Sequence, residues 1–402
     1  MTTRVFVTGI GLITAIGDNI EDNLRSMEAG ITGLGEINHI STDNKGSIPV
    51  CEIRHTNDEL KEISGVGEAS EKSRTSILGL IAAQEAVRYA GLSTDDLATC
   101  GLISANSVGG MDRSEWFYPQ YLENSKKGRL SEAKSHECGH STEFIAQQLG
   151  SGDFITTIST ACSSSANAVA LGARLIKHGH LDKILVGGCD ALTRFTINGF
   201  GSLKILDREG CRPFDQNRAG LNLGEGAGFL VLESQNSANA RKAESICEVA
   251  GYANTCDAYH QTASSPDGEG SFQAMTKALA LAGLQPNDID YINAHGTGTG
   301  NNDLSEGIAI ERLFTTSPPA VSSTKPFTGH TLGAAGGIEA VLCCLALRDN
   351  LLYPNLRWQT AMEELTFIPQ QTFEKNKSIK NVLSNSFGFG GNDTSLVFSA
   401  TD

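Results

Sequence analysis

The chain has 402 residues, 40% of them hydrophobic, with 44 glycines and a formal net charge of −15 from 31 basic and 46 acidic side chains. That length and apolar content exclude a disordered chain and call for one large domain or two fused halves. The acidic balance argues against nucleic acid as the main partner, and no stretch approaches the roughly eighteen uninterrupted apolar residues of a membrane span.

The first residues, MTTRVFVTGIGLITAIG, run straight into a strand without the basic and apolar segments of a secretory leader, so a cytoplasmic protein is expected. GIGLIT looks like a dinucleotide fingerprint, but Thr14 stands where a third Gly or Ala belongs and no acidic residue closes a second strand. ILGLIAAQEAVRYA reads as a helix closed by Gly91, followed by a turn and the strand CGLISANS. HECGH, residues 136–140, matches the zinc pattern HExxH, yet Gly139 weakens the helix and no third ligand follows. It reads better as the polar start of a helix whose apolar stripe is FIAQQLG.

DFITTIS predicts a buried strand, and SSSANAVALGARLIKHG predicts a helix with Gly179 beyond its end. Cys162 therefore falls at a strand-to-helix elbow. A free thiol has a pKa of about 8.5, and the unpaired N–H groups of a helix N-terminus favour its anion. The same groups can stabilise a carbonyl oxygen gaining charge under attack, by about 3 kcal/mol per donor.

Further on, ALALAGLQPNDI from Ala278 echoes AVRYAGLSTDDL from Ala86, sharing Ala86/Ala278, Ala90/Ala282, Gly91/Gly283, Leu92/Leu284 and Asp96/Asp288. The helix opening at GAAGGIEAVLCCLAL likewise parallels the one opening at ACSSSANAVALGARL. Two related α/β halves are predicted, 1–245 with Cys162 and 246–402 with His295 and His330. They would join at the polar, loop-like SQNSANARKAES, each half a mostly parallel sheet covered by helices. NAHGTGTGNND puts His295 in a glycine-rich turn after a strand, and SSTKPFTGHTLGAAGG puts Lys325 and His330 just before the second echoed helix. The repeat sets these loops at equivalent ends of the halves, where they and the Cys162 elbow can converge on one cleft. NSFGFGGND, residues 385–393, lets the backbone approach a reacting centre while Phe387 and Phe389 shape an apolar channel. The ten cysteines are irregularly spaced and fit reduced thiols; Cys51, Cys100, Cys189, Cys247, Cys343 and Cys344 read as small apolar side chains.

VTGIGLITAIG, TACSSS, RPFDQNRAGLNLGEGAG, NAHGTGT, KPFTGHTLGAAG and NSFGFGG occur in this order. On these motifs the chain resembles, nearly end to end, the β-ketoacyl-acyl carrier protein synthases of the synthase I/II type, condensing enzymes of fatty-acid and polyketide synthesis. The resemblance implies a thiolase-like α/β fold of five layers, α/β/α/β/α, built from two similar halves. It also implies a homodimer, acyl carrier protein as partner, and neither cofactor nor metal. Cys162 would hold the acyl chain as a thioester, and His295 and His330 would stabilise the carbanion left when a malonyl thioester loses carbon dioxide. Lys325 would bond with Glu339 or a neighbour and tune His330. The backbone N–H groups of Cys162 and Phe389 would form an oxyanion hole, Phe389 would gate the acyl pocket, and Phe387, Thr297 and Thr299 would contact substrate. Two histidines, in place of a His and Asn pair or a second cysteine, favour elongation by decarboxylative condensation.

Gly298, Gly300, Asn301 and Asn302 depart from the usual STPxGD, and GGND replaces GGTN. A ketosynthase of a specialised polyene, aryl-lipid or polyketide pathway, the active half of a heterodimer with a chain-length subunit, is therefore the alternative. The family's carrier protein is acidic, so an acidic enzyme needs local positive charge. Lys126, Lys127 and Arg129, and Lys72 with Arg74, are the candidates.

Overall fold

The computed structural model describes residues 3–67, 72–152, 154–315 and 317–401. Among these, ten strands form one continuous sheet. In chain order they are β1 (Val5–Thr14), β2 (Gly101–Ala105), β3 (Ile155–Ile158), β4 (Lys183–Asp190) and β5 (Gly226–Ser234). The remaining five are β6 (Cys247–Cys256), β7 (Tyr291–Asn293), β8 (Ala320–Ser322), β9 (Asn381–Gly388) and β10 (Asn392–Ser399). The sheet order is β8-β7-β9-β10-β6-β1-β5-β4-β2-β3, two mirrored sets of five. From its inner strand outward, each set pairs antiparallel, antiparallel, parallel, parallel. The sets are joined only where Phe6 faces Glu248 and Val7 faces Cys247.

The mostly parallel pairing expected from strand and helix alternation holds only for the outer strands. Residues 191–225, between β4 and β5, do not make a crossover that would bring β5 back parallel to β4; Phe200, Ile205 and Leu221 of this segment instead line the cavity described below. Two smaller expectations also change. SQNSANARKAES contains the helix Gln235–Arg241, because Ser234 caps it by accepting the Ser237 N–H. DFITTIS, whose Asp153 lies outside the described residues, forms an edge strand with Ile155 exposed, since only β2 pairs with it.

Helices Arg74–Ala90 and Cys138–Leu149 cover one outer face, and Glu269–Ala282 with Gly300–Leu313 cover the other. Helices Ser164–Lys177 and Ala335–Asp349 lie between the two strand sets, completing the five layers of the thiolase-like fold. Ala335–Asp349 is buried on every side, which explains its nearly continuous apolar sequence.

The repeated sequence has a packing cause. A Cβ on Gly9 would stand 2.3 Å from Ala86 O and 2.7 Å from Ala90 Cβ, and one on Gly251 would stand 2.2 Å from Ala278 O and 2.9 Å from Ala282 Cβ. In each half a strand glycine and two helix alanines let backbone touch backbone. GIGLIT is thus packing glycine, not a phosphate loop, because β1 runs unbroken through it. Among the described residues no helix is long and apolar enough to cross a membrane.

Gly228 of β5 makes the same kind of contact with the inner helix: an added Cβ would lie 2.5 Å from Ile338 N. Gly228→Ala should therefore lower stability to urea by about 1–3 kcal/mol. An unchanged midpoint would mean that the helix moves freely off the sheet.

Candidate active site

Cys162 follows β3 in a turn so tight that Thr160 and Cys162 form a bridge, with Ala161 held at φ 52°. An L residue in this left-handed region costs about 1 kcal/mol or more. The turn is held by Ser164, whose Oγ donates to Ala161 O at 2.5 Å and accepts the Thr160 N–H at 2.8 Å. The thiol lies just ahead of Ser163, the N-cap of helix Ser164–Lys177. Burial pushes it up to about 11, against the pull of the Lys325 ammonium and of the Phe389 N–H. Desolvation therefore opposes the thiolate that the helix N-terminus favours.

Buried carboxylates shape the loops around it, and sequence reasoning passed over all of them. Glu306 accepts the N–H groups of His295 (2.9 Å) and Gly296 (2.8 Å), together with Asn385 Nδ2 at 3.1 Å. One turn earlier on the same helix, Asp303 accepts from Gly298 N at 3.1 Å and Phe214 N at 2.8 Å. Asp190, at the end of β4, accepts from Ser107 N at 2.9 Å and from Gly333 N at 2.8 Å, fixing the turn after His330. Burial pushes Glu306 and Asp190 up to about 7. The available signal was the i, i+3 spacing of Asp303 and Glu306 shortly after His295, one face of a helix turned inward.

The two imidazoles meet edge to face, centroids 5.4 Å apart at 85°. Lys325 Nζ bonds Glu339 Oε1 at 2.5 Å, as expected, and stands 3.3 Å from His295 Nδ1. The expected target, His330, feels the ammonium only through its charge, and its Nδ1 has no partner among the described residues. Lys325 lies on the His295 side because it starts a short helix whose C-cap Gly329, at φ 70°, turns the chain before His330. Burial first, and the Lys325 charge second, hold both histidines well below 6.5. They are neutral, and with an ammonium facing Nδ1 the His295 proton sits on Nε2.

One cavity of about 140 Å³ is lined by Cys162, His295, His330, Phe387 and Phe389, so the expected convergence occurs. Thr297 and Thr299 line it too, their hydroxyls 2.9 Å apart, as do Asn301 and Asn302 from the departing motif. Phe200, which the sequence did not single out, stacks on Phe389 with centroids 5.7 Å apart and an interplanar angle of 18°. Gly388 permits the close approach: a Cβ there would meet Thr160 O at 2.9 Å and Cys162 N at 3.3 Å.

Other candidates fall elsewhere. Lys126, Lys127 and Arg129 are exposed after helix Met111–Glu123, and none lines the cavity. Arg74 is buried against Glu225 at 2.7 Å and offers no docking charge, while Lys72 lies over the Phe144 ring. In HECGH, His136 Nδ1 pairs with Ser114 Oγ at 2.9 Å, and among the described residues no group of His, Cys, Asp and Glu is placed to hold a metal.

Residues 2–238 match the family model for the β-ketoacyl synthase N-terminal domain and residues 246–359 that for its C-terminal domain. The chain belongs to the β-ketoacyl synthase family. Its activity is accordingly acyl transfer with the β-ketoacyl condensation. This synthase is 34% identical to "3-oxoacyl-[acyl-carrier-protein] synthase 2" of Staphylococcus aureus (strain N315), over 98% of both chains. Identity to the protein of the same name from Synechocystis sp. is 33%, over 98% of this chain and 97% of that one. Among solved structures it is similar to "The ishigamide ketosynthase/chain length factor", with a TM-score of 0.92, 31% identity and full coverage of both chains. It also matches a chain of "Ketosynthase (ApeO) in Complex with its Chain Length Factor (ApeC) from Xenorhabdus doucetiae", with a TM-score of 0.86 and 31% identity over 99% and 98% of the two chains.

The buried thiol makes a kinetic prediction. Alkylation of Cys162 by iodoacetamide, followed by peptide mass spectrometry, should keep accelerating with pH well past the ordinary thiol value of about 8.5. A plateau at or below that pH would show that the helix N-terminus outweighs burial.

Proposed function

We propose that this synthase loads an acyl group from acyl carrier protein onto Cys162 and extends it with a malonyl thioester, using His295 and His330 in the second step. The observation that supports this most directly is the single cavity shared by the three side chains. In the first step Cys162 Sγ attacks the thioester carbonyl and its proton passes to one of the neutral imidazoles. The backbone N–H groups of Cys162 and Phe389 hold the oxyanion; the carrier thiolate then leaves and takes that proton back.

In the second step the malonyl carboxylate leaves as carbon dioxide, and the electron pair of the broken C–C bond becomes an enolate. Its oxygen accepts the Nε2 hydrogens of His295 and His330. The enolate carbon attacks the acyl carbonyl, the C–S bond to Cys162 breaks, and the thiolate takes a proton from water. Neutral donors suit this chemistry because an imidazolium would protonate the carbanion before the new bond forms. Lys325 positions His295 by fixing Nδ1 as an acceptor, and Glu339 balances its charge. Phe389, stacked on Phe200, closes the acyl side, while Phe387, Thr297 and Thr299 form the wall for the malonyl thioester.

Chain elongation in fatty-acid synthesis is the first reading of the pathway. A specialised polyene, aryl-lipid or polyketide pathway is the second, favoured by the close fit to a chain of the ishigamide ketosynthase/chain length factor structure and by Asn301 and Asn302 in the cavity wall. The exposed edge of β3 supports pairing with another chain, either a second copy in a homodimer or a related subunit in a heterodimer. Residues 1–245 and 246–402 are the halves that contribute the nucleophile and the histidines.

Intact-mass analysis after incubation with acyl carrier thioester tests the assignment: an acyl adduct is expected on Cys162 and none on Cys162→Ala. His295→Ala should still be acylated yet release carbon dioxide from malonyl thioester at least about 100-fold more slowly; unchanged release would remove His295 from its role. Because both imidazole pKa values are depressed, release should stay flat as pH falls through 6.5 and decline only well below it. An acid limb centred at 6.5 would mean that the histidines are not buried as described. Charge reversal at Lys126 and Lys127 should raise the KM for carrier-bound substrate by about tenfold while sparing small thioester mimics. Equal effects on both substrates would exclude this loop from docking.

A further inference from the structure

Asn392 begins β10, directly after the turn Phe389–Gly391, at one of the two positions where GGND departs from GGTN. No step above uses it, yet its side-chain oxygen is crowded. Oδ1 lies 2.7 Å from Ser163 Oγ, 2.9 Å from Asn167 Nδ2 and 2.7 Å from Asn254 Nδ2. These partners come from separate parts of the fold. Ser163 directly follows the nucleophile, Asn167 is one turn along the elbow helix, and Asn254 is on β6.

The network closes on both sides of the elbow. Asn167 Nδ2 also donates to Thr160 Oγ1 at 2.9 Å, and its Oδ1 accepts from Thr394 Oγ1 at 2.9 Å. Asn254 Nδ2 reaches the same Thr394 hydroxyl at 2.8 Å. Thr160 and Ser163, which flank Ala161 and Cys162, are thereby tied to Asn392 and Thr394. Between Asn392 and the Phe389 N–H stand only Gly390 and Gly391, both left-handed at φ 85° and 76°. Backbone bonds already hold the glycines themselves, Gly390 N–H to Gln261 O at 2.8 Å and Gly391 N–H to Gly388 O at 3.1 Å, and Asn392 adds the tie from the turn to the elbow helix.

We infer that Asn392 is a positioning residue: its carboxamide oxygen pins the Phe389 turn to the elbow helix and so keeps the Phe389 N–H aimed at the carbonyl held by Cys162. A carboxamide oxygen stands two bonds from Cβ, whereas a threonine hydroxyl oxygen is bonded to Cβ and reaches less far toward these partners. The inference rests on the roles proposed for Cys162 and Phe389.

It separates the two half-reactions, because acyl transfer needs the oxyanion donors whereas carbon dioxide release does not. Single-turnover acylation of Cys162 by acyl carrier thioester and carbon dioxide release from malonyl thioester would be measured on Asn392→Ala, Asn392→Thr and Asn392→Asp. Losing an oxyanion donor outright costs roughly 100- to 1,000-fold, so a loosened one predicts acylation slowed about 10- to 100-fold in Asn392→Ala, with release within about twofold of wild type. Asn392→Thr should fall between, and Asn392→Asp, which keeps the oxygen, should recover most of the acylation rate. Acylation at the wild-type rate in Asn392→Ala, or equal loss of both activities, overturns the inference. Should Asn392→Ala fail to fold, Asn254→Ala removes one donor from an exposed position and must show the same asymmetry in weaker form. Wild-type protein without an adduct on Cys162 would strike the nucleophile assignment instead, so the two failures are distinguishable.

Discussion

The site exists because two helices meet through residues small enough to let their first turns touch. A Cβ on Gly336 would stand 2.8 Å from Ala166 N, and Gly337 N–H donates to Ser165 Oγ at 2.7 Å. Ser165 is three residues past Cys162; Gly336 and Gly337 are six and seven past His330. A larger side chain at this contact would push Cys162 of one half away from His330 of the other, since both precede the helices that meet there. The small residues that open both echoed helices are therefore the condition for a shared cavity.

Joining the halves so closely also dries the site. Desolvation is the first cause of every shift at its centre: it raises Cys162 and lowers His295 and His330. Buried from solvent, the loops need protein partners for their backbone N–H groups, and Glu306, Asp303 and Asp190 provide them. Burying carboxylates is expensive unless each accepts several hydrogen bonds, and each of these does. The same dryness keeps the Lys325–Glu339 pair strong and turns its ammonium toward a single imidazole nitrogen.

What varies around this fixed centre lies at its rim. Asn301 exchanges two hydrogen bonds with Ser264, at 2.7 and 3.1 Å, locking the helix start beside the cavity to the loop after β6. Asn392 performs a similar service for the turn that carries Phe389. Both asparagines stand where the chain departs from the pattern it resembles. Both side chains tie segments of the cavity wall together and neither is Cys162, His295 or His330.

By itself the sequence determined the two-half organisation, the elbow at Cys162 and the convergence of His295, His330 and Phe389. These depend on local signals: glycine-closed helix ends, small residues at helix starts, and an order of motifs that a linear chain preserves. Only the tertiary structure decided the burial of Cys162, the partner of Lys325, the antiparallel inner strands, and the buried acids and Phe200 around the cavity. These depend on how much water is excluded and on contacts between residues far apart in the chain, as between Phe200 and Phe389. No local pattern of residues carries either quantity.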